Sequence, residues 1–327
     1  MTLIELRCLL AIVDAELNIS TAAQRIHGTQ PSLSRHLKQL EDELGFQLFT
    51  RHGRCLVGIT PGGQEVIRVA RRIVSDAASL RAYAANLRGD TSGDLVVATA
   101  QTYARHVLPP VLARLVKRYP RLNVRIQTLG EGECFDRQTH HDADIVLVST
   151  AGDRAPEGIA LPLFRWKRVV LVERTHPLAR LGRAPSLAEM AEWSLVTYEA
   201  SRRPDSTLRC VLEQAGLRAR FACSAQDADL IKVYVRAGLG VGLVAELAIE
   251  PADHKNFVVL PADPVLPECI AWAQLPGGRV MRDYTVDFIR LLAPQLDALD
   301  VRRRFEGTAA PVWPVPRQWA AEAAFAA

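Results

Sequence analysis

Residues 20–45 read STAAQRIHGTQPSLSRHLKQLEDELG, a stretch that predicts two helices joined by a tight turn. Ser20 can cap the first helix, because its hydroxyl can accept a hydrogen bond from an unpaired N–H group of the first turn. Gly28 suits the turn, since a positive φ strains residues that have a side chain. Thr29 can cap the second helix, and Pro31 fits its first turn, where a missing N–H is no loss.

The second helix is predicted to have an apolar side and a polar side. The apolar side carries leucines at helical spacing, Leu33, Leu37, Leu40 and Leu44. The polar side combines hydroxyls, an amide and cations, which can meet base edges and phosphates in a DNA groove. The residues expected to contact DNA from this helix are Gln30, Pro31, Ser32, Ser34, Arg35 and Lys38. The alternative is an ordinary amphipathic helix with a solvated polar side.

The segment after this helix predicts a small β-hairpin. Short alternating apolar runs flank Gly53, and such a hairpin beside a helix pair is typical of a wing. Arg51 and Arg54 on the hairpin are expected to touch DNA phosphates. The alternative is a hairpin that only faces solvent.

From Pro61 to Arg88 the sequence predicts one long helix, with Thr60 as its cap. Its apolar residues recur in steps of four and three, as in the seam of a coiled coil. They are Val66, Ala70, Ile73, Ala77, Leu80, Ala84 and Leu87. A single domain could also bury this side, but a helix that leaves a small DNA-binding unit favours dimerisation. Two paired copies can read two half-sites on DNA.

Composition limits the function further. The formal charge of +4 on 327 residues is too small for DNA binding by bulk charge, so binding needs a local basic face. Six scattered cysteines without a CxxC pair favour free thiols in a reducing compartment. Charged residues interrupt the N-terminal apolar run, and no apolar run reaches membrane-spanning length. We therefore expect a cytoplasmic protein that binds no membrane.

After a short linker at residues 89–93, strand-like runs alternate with helical ones. This alternation predicts an α/β fold, with two subdomains and a cleft between them. The expected domains are a winged helix-turn-helix at 1–59, a linker and dimerisation helix with its hinge at 60–92, and an effector-binding domain at 93–298. Within the last, subdomain I spans about 93–163 and 267–298, and subdomain II about 164–266.

The N-terminal part resembles the LysR-type transcriptional regulators. The resemblance rests on several fixed spacings that agree at once, and it covers Thr21, residues 30–34, 40–45, 48–51 and 60–63. It implies a DNA-binding regulator with a periplasmic-binding-protein-like effector domain. It also implies a homodimer or a homotetramer built from dimers, with RNA polymerase as a further partner.

The rest of the chain is similar to a narrower subgroup, the CysB-like regulators of sulfur assimilation. Matching stretches are Ala98-Thr99 with Thr102-x-Ala104-Arg105, residues 118–121, residues 195–198 and residues 227–242. The resemblance implies a small anionic effector such as sulfate, a sulfonate or an acetylserine-like metabolite. Where the subgroup has the pattern Thr-Thr-x-Thr-Gln, this chain has Thr99-Ala100-Gln101-Thr102-Tyr103. This difference argues against plain sulfate as the effector.

Physical reasoning places the effector in the cleft, where strand ends and a helix start near Thr102 attract anions. Two arginines that follow one strand could fork onto a carboxylate or sulfonate. Each residue alone could be a loop hydroxyl or a solvated arginine, but the set favours a pocket. The expected effector-binding residues are Thr99, Gln101, Thr102, Tyr103, Ser149, Thr197, Tyr198, Arg202, Arg203 and Asp227.

Residues 299–327 change in composition, with three consecutive arginines, several prolines, Trp313 and Trp319. The prolines oppose regular structure, so this tail is expected to be disordered or to dock its tryptophans on a neighbouring subunit.

The leading interpretation is a regulator that responds to an effector and controls sulfur assimilation genes, without catalytic residues, metal or cofactor. The alternatives are a LysR-type regulator of another metabolic pathway, and an enzyme or solute-binding protein with an accessory helical domain.

Overall fold

The computed structural model describes residues 1–53, 55–130, 134, 143–262, 264–275, 280–308 and 311–319. The chain divides into two compact units. The first unit comprises Met1–Asp90 with the described residues of 278–282, and the second comprises the described residues of 91–277 and 283–327. Within the described residues, no helix is long and apolar enough to span a membrane.

The first unit is a winged helix-turn-helix followed by a long helix, as predicted. Its elements are α1 (Leu3–Asp14), α2 (Ile19–Arg25), α3 (Gln30–Leu44), β1 (Phe49–His52), β2 (Cys55–Ile59) and α4 (Pro61–Leu87). The apolar side of α3 packs into a core shared with α1, which includes Leu9, Ile12, Leu33, Leu37 and Leu40. β1 and β2 pair antiparallel and form the wing.

Two local details of the helix pair differ from the prediction. The cap of α2 is Asn18 and not Ser20, because the Asn18 side chain accepts the Thr21 N–H at 3.0 Å. In the turn before α3, the positive φ falls on His27, at 53°, and not on Gly28. The caps of α3 agree with the prediction, since Thr29 accepts the Ser32 N–H and Gly45 ends the helix with φ 80°.

The start of α4 is fixed against the wing. The Thr60 hydroxyl accepts the Gly63 N–H at 2.9 Å and donates to the Gln47 carbonyl at 2.9 Å. A Cβ atom at Gly63 would lie 2.1 Å from the Leu48 carbonyl oxygen. Only glycine allows the backbone of α4 to approach the residues before β1 so closely.

The predicted dimer seam on α4 divides into two parts. Ala70 is buried in the core of the winged helix-turn-helix, and Val66 and Ile73 pack against that core. For these three residues the structure therefore agrees with the alternative to a dimer seam, in which a single domain buries this side of the helix. In the second half of the helix, Leu80 and Leu87 are 70% and 72% exposed.

The second unit alternates strands and helices. In chain order its strands and α-helices are β3 (Gly93–Ala100), α5 (Gln101–His106), α6 (Leu108–Arg118), β4 (Leu122–Leu129), β5 (Ile145–Ala151), β6 (Ile159–Trp166), β7 (Arg168–Glu173), α7 (Leu187–Ala191), β8 (Ser194–Tyr198), α8 (Thr207–Gln214), β9 (Arg220–Ala225), α9 (Ala228–Arg236), β10 (Val241–Ala245), β11 (Phe257–Pro261), β12 (Cys269–Leu275), α10 (Asp283–Leu292), α11 (Ala298–Phe305) and β13 (Arg317–Gln318).

These strands form two sheets, which confirms the predicted two-subdomain α/β fold. The first sheet has the order β13-β6-β12-β5-β3-β4, and the second has the order β11-β7-β10-β8-β9. The chain crosses from the first sheet to the second at Lys167 and returns after Pro261. Both crossings lie within a few residues of the predicted subdomain boundaries.

The described part of the tail contacts its own chain. α11 buries Val301 and Phe305, and Arg302 on it donates to the Asp283 carboxylate at 2.6 Å. β13 pairs in parallel with β6, and the Trp319 ring lies 4.7 Å from the Phe164 ring.

Candidate DNA interface and effector site

The N-terminal half of α3 presents a polar, positively charged surface. Gln30, Pro31, Ser34, Arg35 and Lys38 are exposed, and Ser32 is half-buried. A helix whose first turns expose an amide, hydroxyls and cations is suited to the major groove. All six predicted DNA-contact residues of the helix therefore lie together on one accessible surface.

The C-terminal end of α3 is tied to the wing. Glu41 is 3% exposed, and its carboxylate accepts the Leu48 N–H at 2.8 Å. The Arg51 guanidinium donates to the same carboxylate at 2.9 Å. Arg51 thus holds helix and wing together in addition to its predicted phosphate contact, while Arg54 lies outside the described residues.

The second unit contains a cavity of about 720 Å³ between its two sheets. Its floor is made by the carboxyl ends of parallel strands from both sheets, at Ala100 and Ala151 in one and at Tyr198 in the other. Strand ends at such a crevice are where open α/β sheets bind ligands. Apolar side chains from both subdomains also line the cavity, among them Leu147, Leu208 and Leu247.

A hydrogen-bonded group lies on the side of the first sheet. The Tyr103 hydroxyl bonds to the Ser149 hydroxyl, and the Trp166 indole N–H donates to Tyr103 at 2.8 Å. The same indole lies 3.2 Å from the Ser149 oxygen. Tyr103 is 4% exposed, and its hydroxyl bonds to Ser149 near the carboxyl end of β5.

Half of the predicted effector residues line this cavity: Thr102, Tyr103, Ser149, Tyr198 and Arg203. Tyr198 accepts the Ala245 N–H through its hydroxyl at 3.2 Å, which links two neighbouring strands of the second sheet. Arg203 donates to both carboxylate oxygens of Asp205, at 3.1 and 3.0 Å. An ion pair at the wall can exchange its partner for an anionic ligand.

The other five predicted residues are not among the described residues that line the cavity. Thr197 is buried and donates to the Leu243 carbonyl at 3.1 Å, and Asp227 caps α9. Thr99 is buried at the end of β3, and its hydroxyl has no hydrogen-bond partner among the described residues. Arg202 donates to the Ser224 hydroxyl at 3.4 Å, and Gln101 forms the first turn of α5.

Several lining residues were not predicted. Trp166 ends β6, and Arg168 begins β7 with its guanidinium 5.7 Å from the Trp166 ring centre. Arg154 and Ser206 lie in loops of the two sheets. No local sequence pattern marks the first two, which lie on either side of Lys167, where the chain changes sheets.

The comparisons with known proteins agree with this geometry. Residues 3–64 match the family of bacterial regulatory helix-turn-helix proteins of the LysR type, and residues 88–297 match the LysR substrate binding domain. The chain belongs to the LysR family. The matched relatives are transcriptional regulators, so the alternatives of an enzyme or a solute-binding protein are set aside. As a LysR regulator it binds DNA and a small-molecule effector and forms oligomers.

Three curated relatives match almost the whole chain. The HTH-type transcriptional regulator Cbl of Escherichia coli is 33% identical over 88% of this chain and 90% of its own. CysB of Haemophilus influenzae is 31% identical over 93% of this chain and 97% of its own. SsuR of Burkholderia cenocepacia is 31% identical over 91% of this chain and 96% of its own.

Among solved structures, the effector unit is similar to the cofactor-binding domain of the Cbl transcriptional regulator. That structure shares 32% identity and a TM-score of 0.59, and it covers 66% of this chain and 95% of that one.

In this LysR regulator, α5 connects the cavity to the second sheet. Its first turns carry Thr102 and Tyr103, and its last residues are Arg105 and His106. The Arg105 guanidinium lies 2.7 Å from the carboxylate of Asp229 on α9. An ion pair therefore joins the two subdomains beside the effector cavity.

The surroundings of this ion pair carry further charges. Lys232 is 5% exposed and lies 2.7 Å from the Asp253 carboxylate and 3.4 Å from that of Asp229. His106 lies 3.7 Å from the Glu250 carboxylate, and burial is the main cause that lowers the pKa of its imidazole. Protonation of His106 in acid can thus alter the contacts between α5 and the second subdomain.

Proposed function

We propose that this LysR regulator controls genes of sulfur assimilation in response to a small organic anion. The observation that carries the proposal is the match to Cbl, CysB and SsuR over about nine-tenths of the chain. The CysB-like subgroup that the sequence resembles regulates sulfur assimilation. The order of the two matched domains supports DNA binding by the N-terminal part of the chain and effector binding by the rest.

The chemistry of the cavity supports an anion that carries an organic part. A volume of about 720 Å³ lies in the range of sites for organic ligands and far exceeds a single tetrahedral anion. Three guanidinium groups line the cavity, those of Arg154, Arg168 and Arg203, against two carboxylates, so the lining carries a net positive charge that favours an anion. The Tyr103 hydroxyl bonds to Ser149, and the apolar side chains that line the cavity can pack against carbon atoms of a ligand. A sulfonate or an acetylserine-like metabolite fits these properties better than sulfate.

DNA is read by the exposed side of α3 in this proposal. Gln30, Ser32 and Ser34 lie beside base edges, while Arg35 and Lys38 neutralise phosphates or bind guanine. Pro31, Arg51 and Arg54 complete the surface, with the two arginines on the wing. Pairing of two chains through the exposed part of α4 brings two such surfaces to two half-sites. The complex works in the bacterial cytoplasm and contacts RNA polymerase.

The mechanism is a shift between open and closed arrangements of the two subdomains. A ligand that contacts both sheets binds the closed arrangement more tightly and increases its population. The change reaches DNA through the oligomer, by altering the spacing of its DNA-binding units. The ion pair between Arg105 and Asp229 stabilises one of the two arrangements.

Genome-wide mapping of bound DNA, with and without sulfur starvation, tests the proposed pathway. We expect sites upstream of genes for sulfate or sulfonate uptake, with occupancy that depends on sulfur supply. The Lys38→Ala variant serves as the control for DNA contact, because it should lose these sites while the protein level stays unchanged. Defined sites upstream of other genes would instead favour regulation of another metabolic pathway, to which the departure at Tyr103 also points.

Calorimetry with the full chain tests the effector class. We expect an organic sulfonate or O-acetylserine to bind more tightly than sulfate. Tight binding of sulfate, without binding of the sulfonate or of O-acetylserine, would contradict the proposal that the effector has an organic part.

A further inference from the structure

We propose that residues 317–319, the C-terminal strap, position Tyr103 and Trp166 in the wall of the effector cavity. The inference rests on the proposed effector site. It gives the tail of the chain a role in ligand recognition, although the strap itself is not among the described residues that line the cavity.

The strap is held by backbone and side-chain contacts to the first sheet. Arg317 and Gln318 pair in parallel with Phe164 and Arg165 of β6. The backbone N–H of Trp319 donates to the Arg165 carbonyl at 2.9 Å. The Gln318 amide donates to the Glu268 carboxylate at 2.9 Å. The last strand of the sheet is therefore supplied by the end of the chain.

Two ring contacts lead from the strap to the cavity. The Trp319 ring lies 4.7 Å from that of Phe164, which is 3% exposed. The Phe164 ring meets the Tyr103 ring edge to face, with centres 5.9 Å apart and planes at 86°. Aromatic pairs in such arrangements attract each other beyond the area they bury.

Beyond Tyr103 the contacts enter the cavity itself. The Tyr103 hydroxyl bonds to Ser149, and the Trp166 indole N–H donates to Tyr103. All three residues line the cavity. Phe164 and Trp166 lie on the same strand, β6, whose outer edge is covered by the strap.

Tyr103 depends on packing for its position. It lies on α5, a helix of six residues, and the residue before this helix, Ala100, provides no side-chain cap. A helix of this length has little stability of its own, so tertiary contacts fix its place. Removing the Trp319 ring would free one face of Phe164 and loosen Tyr103 behind it.

The test compares Trp319→Ala, Trp319→Phe and Val315→Ala in the full chain. Trp319→Phe keeps an aromatic ring in contact with Phe164. Val315→Ala serves as the matched control, because Val315 is 76% exposed in the same segment. Calorimetry measures the affinity for sulfate, methanesulfonate and O-acetylserine. Alkylation of Cys269 by iodoacetamide, followed by mass spectrometry, reports on the cavity without a ligand, because this thiol lines the cavity and is only 1% exposed.

We expect Trp319→Ala to raise the alkylation rate of Cys269 several-fold and to weaken the tightest-binding probe about three- to tenfold. Trp319→Phe should restore most of both values, and Val315→Ala should match the wild type. Unchanged alkylation and unchanged affinity in Trp319→Ala would overturn the proposal. Raised alkylation with unchanged affinity would equally overturn the link to ligand recognition.

A double-mutant cycle with Tyr103→Phe separates positioning from general destabilisation. If the strap acts through Tyr103, the losses of affinity from Trp319→Ala and Tyr103→Phe are not additive. Additive losses would contradict the proposal. If Trp319→Ala does not fold, Gln318→Ala takes its place, since it keeps the ring and loses the bond to Glu268.

Failure of the proposed effector class is distinguishable from failure of the strap. A wild-type chain that binds none of the three probes counts against the effector class, and the alkylation of Cys269 then decides alone whether the strap fixes the cavity wall.

Discussion

The Glu41 carboxylate accepts a hydrogen bond from the Arg51 guanidinium at 2.9 Å and thereby joins α3 to the wing. Glu41 is 3% exposed and also accepts the Leu48 N–H. A buried carboxylate needs such donors, because an unpaired charge in the interior is costly. The acidic residue near the end of α3 is thus a structural anchor for both DNA-binding elements.

Replacing Glu41 with alanine should destabilise the first unit by about 2 kcal/mol, because the Leu48 N–H and Arg51 both lose a charged acceptor. DNA binding should weaken as well, since the wing loses its fixed position against α3. Thermal unfolding and gel shifts measure both effects. Asp42→Ala is the control, because Asp42 is exposed on the same helix. Equal melting temperatures for the two variants would contradict the anchoring role.

Lys38→Ala should weaken DNA binding and reduce the slope of log affinity against log salt by about one unit, as expected when one phosphate contact is lost. Lys38 is exposed on α3, and the control Lys117→Ala removes another exposed lysine, from α6 in the other unit. Binding titrations at several salt concentrations measure the slope. A slope equal to that of Lys117→Ala would remove Lys38 from the interface.

Local patterns predict the helices and the wing of the first unit, although not the cap of α2 or the burial of the first half of α4. The spacing of Leu33, Leu37 and Leu40 identifies the buried side of α3, and Thr29 and Gly45 mark its ends. The strand-like runs of the second unit include residues 95–99, 144–149 and 195–198, which form most of the parallel strands β3, β5 and β8. Each of these features is encoded within a few neighbouring residues.

The effector site was predicted only in part, because its walls come from distant segments. β12 is buried at every position, so it lacks the alternation that marks a half-exposed strand. Trp166 and Arg168 reach the cavity through the crossing between the sheets, which no local pattern shows. Thr197 and Asp227 have the right residue types at strand and helix ends, yet their polar atoms serve the backbone.

Leu80→Glu combined with Leu87→Glu should lower the mass of the oligomer at micromolar concentration, because the proposed pairing of two chains through α4 is lost. Both leucines are more than two-thirds exposed on α4, and a carboxylate in a coiled-coil seam loses its hydration without gaining a partner. Light scattering after size exclusion measures the mass. Ala78→Glu is the control, because Ala78 is exposed on the same helix and lies outside the predicted seam. An unchanged mass in the double variant would place the interface elsewhere.

His106 should make the effector unit less stable in acid. Burial lowers the pKa of its imidazole, helped by Lys232 and Arg105 and opposed by Asp229 and Glu250. A histidine with a lower pKa in the folded state binds fewer protons when folded, so its contribution is present above the unfolded pKa of about 6.5 and is lost as the pH falls through the folded pKa.

Thermal unfolding between pH 7.5 and 5 measures this effect. His106→Gln should flatten the acid side of the profile, although burial lowers the pKa of His176 in the same direction and leaves part of the slope. The exposed His254→Gln serves as the control. Parallel profiles for wild type and His106→Gln would show that His106 does not carry the dependence.

Arg105→Gln should loosen α5 without unfolding the second unit. The Arg105 guanidinium and the Asp229 carboxylate form an ion pair between the two subdomains, and both side chains are partly exposed, so the cost in global stability is small. The local effect is larger, because α5 is short and this contact fixes its C-terminal end. Hydrogen exchange followed by mass spectrometry should show faster exchange of the amides in Gln101–His106.

The matched control is Arg118→Gln. The Arg118 guanidinium on α6 pairs with the Asp287 carboxylate on α10 at 3.0 Å. The variant therefore removes an exposed arginine and its ion pair without changing a contact to the second subdomain. Exchange of α5 should stay at the wild-type rate in this control. Asp229→Asn should reproduce the effect of Arg105→Gln, and the double variant should add little to either, since both remove the same ion pair. Additive increases would mean that the two residues act on α5 through separate contacts.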